Sequence, residues 1–152
     1  MKDINSILDS IKEQTELFLK NNASTKIIQT TTTTTDIYKN SSLINLTYID
    51  MNFKILLSID DNLLQIILRQ LLKDDIEHYD NSDILKDLID EVINIIVGLS
   101  IQNFSLKYKD FTLGVPYKIS QTELMNKIKN IKYKSFKIAT LDGILICYIF
   151  KD

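Results

Sequence analysis

The chain has 152 residues, 45% of them hydrophobic and 25% charged, with three Gly, one Pro and one Cys. That length fits one domain, residues 1–152, around a single core, and the composition is that of a globular α+β protein, poor for a disordered one and in no need of a disulfide. The net charge of −2 hides an asymmetry: Asp74 to Glu91 holds eight acids against one base, Lys86, whereas Lys127, Lys129, Lys132, Lys134 and Lys137 make the C-terminal third basic. Only Tyr133 and Phe136 interleave those lysines, which argues against a nucleic-acid partner. No apolar stretch approaches membrane-spanning length and Met1 to Asn5 carries no apolar signal core, so a cytoplasmic protein with no membrane partner is expected.

Ile4, Ile7, Leu8, Ile11, Leu17 and Phe18 recur at helical spacing, which predicts an amphipathic helix over residues 3–20, ended by Asn21-Asn22. Six threonines, Thr30 to Thr35, follow Ile27-Ile28-Gln29 and precede Ile37-Tyr38; Thr favours strands, so a strand at a sheet edge is expected there. Ile44, Leu46 and Tyr48 alternate with polar residues, as do Phe53, Ile55, Leu57 and Ile59, predicting a hairpin turned at Asp50 to Asn52. Asp60 or Asp61 is placed to cap a helix through Leu72, and after the polar connection Lys73 to Asn81 a second helix starts at Asn81 or Ser82 and ends near Gly98. Phe104 to Lys109 and Phe111 to Ser120 read as strands, with Pro116 tolerated only where no ladder donor is needed. Ser120-Gln121-Thr122-Glu123 has capping-box spacing for a short helix to about Lys129. Asp142-Gly143 between the apolar runs Tyr133 to Leu141 and Ile144 to Phe150 signals a closing hairpin. The class is α+β: an antiparallel sheet with long helices packed on it.

The helix beginning at residue 81 or 82 is the informative one. At roughly 100° per residue, Asp83, Asp87, Asp90, Glu91, Asn94 and Gly98 share one sector, while Leu85, Leu88, Ile89, Val92, Ile93, Ile95, Ile96 and Val97 cover most of the rest. Glu91 and Asn94, at i and i+3, leave the same face and can enter a partner's pocket together. The plainer alternative, a solvent edge on a buried helix, stays open on spacing alone.

Other chemistry finds few tools. Gly98, Gly114 and Gly143 are isolated, so there is no phosphate loop; one His and one Cys far apart give neither a zinc site nor a Cys-His nucleophile. Cys147 reads as a buried strand thiol and His78 as a solvated loop residue. Asp74, Asp75 and Glu77 lack the spacing and central Gly of a calcium loop. An enzyme built from this inventory must borrow reactive groups from its substrate.

Asp87, three residues, Glu91, two residues, Asn94, three residues, Gly98 and a downstream Pro116 resemble the signature of the CheC/CheX chemotaxis phosphatases, and the single copy is most similar to CheX. The resemblance extends to the element order and implies one CheX-like domain that hydrolyses the aspartyl phosphate of a CheY-type response regulator. In that picture Asn94 orients the attacking water, Glu91 pairs with the receiver's lysine, Asp87 makes a peripheral contact, and Gly98 and Pro116 are structural. Gly98 would then be a close-packing or helix-end residue. The chain would need no cofactor of its own, since Mg2+ belongs to the receiver. A homodimer through a sheet edge is also implied, with the C-terminal or the threonine-rich strand at that edge. The rival reading is a non-catalytic receiver-binding or oligomerising adaptor of the same fold.

Overall fold

A computed structural model describes residues 2–23, 25–32, 36–72, 82–105 and 111–151. Four helices, α1 (Lys2–Asn22), α2 (Asp61–Leu72), α3 (Ser82–Ser105) and α4 (Gln121–Asn130), accompany six strands: β1 (Ile27–Thr31), β2 (Asn40–Tyr48), β3 (Met51–Ile59), β4 (Phe111–Leu113), β5 (Tyr133–Thr140) and β6 (Gly143–Lys151). The sheet is antiparallel in the order β1-β5-β6-β3-β2-β4.

Both faces of the sheet are covered, so its central strands are apolar at successive positions rather than at alternate ones. Leu145, Cys147 and Ile149 join Ile55, Leu57 and Ile59 in the main core, beneath Ile7 and Ile11 of α1, Leu63 and Ile67 of α2, and Ile89, Val92, Ile93 and Ile96 of α3. Ile146, Tyr148 and Phe150 point the other way, joining Leu43 and Leu56 under Leu124 and Ile128 of α4. Each such side chain removed from water contributes roughly 1.5–3 kcal/mol. Cys147 is fully buried and unpaired, and burial pushes its thiol pKa up, which keeps it protonated and inert.

The turns are tied by side chains. Asp60 caps α2 by accepting from Leu63 N at 2.9 Å, and its other carboxylate oxygen accepts from Ile144 N at 2.8 Å, joining the helix start to the closing hairpin. Thr140 Oγ1 accepts from the Asp142 and Gly143 amides, both at 3.1 Å, and Gly143 adopts φ +150° where a Cβ would run into the Asp60 carboxylate. The turn pair is therefore Leu141-Asp142, and Gly143 is the first residue of β6, one position earlier than the Asp-Gly pattern implies. In the first hairpin Tyr48 pairs with Met51, so Ile49-Asp50 forms the turn, with Ile49 at φ 52°, rather than residues 50–52. Ser120 caps α4 as its spacing predicts, its Oγ accepting from Glu123 N at 3.2 Å.

Three expectations need correction. The helix carrying the polar stripe continues past Gly98 to Ser105, so Phe104 and Ser105 are helical rather than the start of a strand; residues 106–110 lie outside the described ones. Beyond them the ladder is short: Phe111–Leu113 pair with β2, and a single bridge joins Tyr117 to Leu43, instead of a strand through Ser120. The C-terminal strand β6 lies between β5 and β3, so its edges are already paired; β1 is an edge as expected, but it starts at Ile27 and takes in only Thr30 and Thr31 of the threonine run, Thr32 lying beyond its end. Thr33–Thr35, His78 and the Asp74, Asp75, Glu77 cluster fall outside the described residues.

Candidate functional site

Helix α3 is held by its apolar majority. Ile89, Val92, Ile93, Ile96 and Val97 are each at most 1% exposed, and this burial overrides the modest helix propensity of β-branched residues. Because that face is committed to the sheet and to α1 and α2, the opposite edge is fixed in direction. There Asp83, Asp87, Glu91 and Asn94 are exposed, and Asp90 and Gly98 are half-buried. The structure thus brings all six stripe residues to one edge of a rigid helix.

They are not equivalent. Asp90 is engaged: its Oδ1 accepts from Ser42 Oγ of β2 at 2.6 Å and from Lys118 Nζ at 2.8 Å. Lys118 Nζ also donates to Lys86 O at 2.8 Å, one turn earlier. By contrast, the side chains of Asp87, Glu91 and Asn94 make no hydrogen bond or ion pair with any described residue. A carboxylate and a carboxamide without internal partners, on a helix whose other sides are buried, are presented outward.

Gly98 differs from its expected role. It is neither a helix end nor a close-packing residue, since a Cβ built there meets nothing within 4 Å. Its effect is to leave the stripe without a side chain one turn after Asn94. Pro116 sits where no donor is required: Gly114 N and Tyr117 N make the bonds to Asn45 O and Leu43 O, at 2.8 Å each, on either side of it. Ser42 and Lys118 escaped sequence reasoning because they lie 48 and 28 residues from Asp90, with no local pattern linking them.

Among the described residues, three concave sites of about 690, 610 and 170 Å³ are lined by residues other than Asp87, Glu91 and Asn94; the smallest, with Lys86, Ile89 and Lys118 in its wall, adjoins α3 on the Lys118 side. Among the described residues no group of three His, Cys, Asp or Glu is placed to hold a metal ion, and no helix is long and apolar enough to cross a membrane.

Comparison with known proteins follows the same lines. The chain matches the family described as chemotaxis phosphatase CheX over residues 47–138. No curated protein sequence matches it. Among solved structures it is similar to a CheC-like superfamily protein from Shewanella sp. PV-4, with TM-score 0.73 and 16% identity over 97% of each chain. It is similar to the chemotaxis protein CheX from Vibrio vulnificus, with TM-score 0.68 and 16% identity over 100% of both chains. A third neighbour is a chain of the CheX–CheY–BeF3–Mg2+ complex from Borrelia burgdorferi, with TM-score 0.68 and 14% identity over 97% of this chain and 96% of that one. With a six-stranded antiparallel sheet, four helices and a family match over more than half its length, the chain belongs to the CheX chemotaxis phosphatase family.

Proposed function

We propose that this protein, as one CheX-like domain over residues 1–152, hydrolyses the aspartyl phosphate of a CheY-type receiver, inserting the outer edge of α3 into the receiver's active site. The observation that carries the reading is the pairing of Glu91 and Asn94, exposed and without internal partners on an otherwise buried helix. A protruding pair of this kind suits a macromolecule with its own concave site better than a small ligand, which needs a pocket. The Borrelia neighbour, from a complex of CheX and CheY with BeF3 and Mg2+, supports a receiver as the partner class.

An aspartyl phosphate is an activated acyl phosphate, and the receiver holds the Mg2+ and the lysine that neutralise its charge. The missing component is an oriented water. In this reading the Asn94 carboxamide oxygen accepts a hydrogen bond from that water and holds it in line with phosphorus. The water oxygen forms the new P–O bond as the bond to the aspartyl carboxylate breaks, yielding inorganic phosphate and free aspartate. Positioning of this kind lowers a barrier by several kcal/mol without a general base. Glu91 pairs with the receiver lysine and sets the depth of insertion. Asp87 makes a peripheral contact, Gly98 leaves room for the receiver one turn beyond Asn94, and the Pro116 loop flanks the docking edge. A cytoplasmic location and a homodimer through the β1 edge accompany this reading, because an open edge strand invites pairing.

The test mixes the protein with a purified cognate receiver, phosphorylated by a small phosphodonor, and follows phosphate release against the receiver's own decay. Acceleration without any metal beyond the receiver's Mg2+ is expected. Binding without acceleration would instead identify a receiver-binding adaptor.

A further inference from the structure

The geometry points to Lys118 as a positioning residue that cancels Asp90, the carboxylate next to Glu91 in the chain, so that α3 offers Glu91 to its partner with only Asp87, one turn earlier, beside it; the inference rests on the function proposed above. Lys118 lies in the segment between β4 and α4, outside the helix, yet its ammonium bridges two groups of one α3 turn, Asp90 Oδ1 and Lys86 O, both at 2.8 Å. Ser42, 1% exposed in β2, grips the same Asp90 oxygen from the sheet side at 2.6 Å. The turn immediately before Glu91 is therefore pinned from two directions, which fixes both rotation and axial position of the stripe. The segment bearing Lys118 is itself anchored to β2 by the two-way Leu43–Tyr117 bond pair, at 2.8 and 2.9 Å.

Charge gives the tie its purpose. Asp87, Asp90 and Glu91 crowd three carboxylates into little more than one turn. Asp90 stands at i−4 from Asn94, with Cβ atoms about 5–6 Å apart, so an uncompensated Asp90 carboxylate would face the incoming phosphoryl group and compete with Glu91 for the receiver's lysine. Lys118 removes that charge while its own ammonium is spent internally. As both partners keep about a third of their side-chain surface exposed, 34% and 32%, the pair contributes little to global stability and is better placed to set local charge and geometry.

The experiment compares Lys118→Ala, Lys118→Arg and the double variant Asp90→Asn/Lys118→Ala with the unmodified protein, measuring receiver turnover and amide hydrogen exchange. Lys118→Ala is expected to raise KM for the phosphorylated receiver about tenfold with a smaller change in kcat, and Lys118→Arg to restore it. The double variant should recover KM to within about threefold, because it removes the uncompensated charge, and Asn still accepts from Ser42. A purely structural tie predicts the opposite, a double variant no better than Lys118→Ala, and that result overturns the charge argument. Hydrogen exchange in Lys118→Ala should quicken at Tyr117–Ser120 and in the α3 turn at Lys86–Asp90; unchanged exchange overturns the tie itself, whatever the activity. Should the unmodified protein fail to act on any cognate receiver, the proposed function and the charge argument fall together, and exchange alone decides the tie.

Discussion

Two polar regions of the molecule use similar residues to different ends. Around Asp60 the polar groups tie elements together: the carboxylate caps α2 through Leu63 N and holds β6 through Ile144 N, while Asn62 Nδ2 donates to Asp142 O at 2.6 Å. Along the outer edge of α3, Asp87, Glu91 and Asn94 are exposed and take no partner among the described residues, although the turn beside them is pinned by Lys118 and Ser42. The first region stabilises the fold; the second contributes little to it and is the edge proposed to meet the receiver. Polar side chains are costly to orphan when buried but nearly free to leave on the surface, so a rigid element carrying unsatisfied groups marks where stability was not the constraint.

This contrast orders the expected effects. Asp60→Ala removes a helix cap and strands the Ile144 amide, so a loss of about 2–4 kcal/mol in unfolding free energy is expected in urea titrations. Gly143→Ala should cost about 1–3 kcal/mol, from the φ of +150° and from collision with the Asp60 carboxylate. The two should be non-additive: in the double variant the shortened side chain at position 60 clears space for the new methyl, so the combined loss falls short of the sum. Strict additivity would show that the Asp60–Gly143 contact does not constrain the turn. Glu91→Ala should change stability by less than about 0.5 kcal/mol while weakening receiver docking about tenfold, a defect that excess protein partly restores. A stability loss comparable with that of Asp60→Ala would erase the distinction between the two regions.

Local pattern made much of this visible in the sequence. The 3.6-residue rhythm from Leu85 to Val97 determines which edge of α3 faces out, and every stripe residue lies there. Hairpins β2–β3 and β5–β6 follow from short turns. What failed depends on long-range or competing effects. Gly98 reads as a stop because Gly commonly ends helices, but Ser100 is 1% exposed and bonds back to Ile96 O, and Ile101 packs on the core, so burial carries the helix onward. Strand order was hidden because the β3–β6 pairing joins two hairpins across the chain, which is what turns the C-terminal strand from an edge into the middle of the sheet. The clasp of Lys118 on Asp90 left no local signature, and neither did the register that sets Gly143 against Asp60.

The most direct test of the central claim pairs two measurements on Asn94→Ala: phosphate release from a phosphorylated cognate receiver, and unfolding in urea. The account predicts that acceleration falls at least about 100-fold while stability stays within about 0.5 kcal/mol of the unmodified protein, because Asn94 is exposed and its proposed role is confined to holding the attacking water. Full acceleration by Asn94→Ala would contradict it, as would a loss of activity matched by a loss of several kcal/mol in stability.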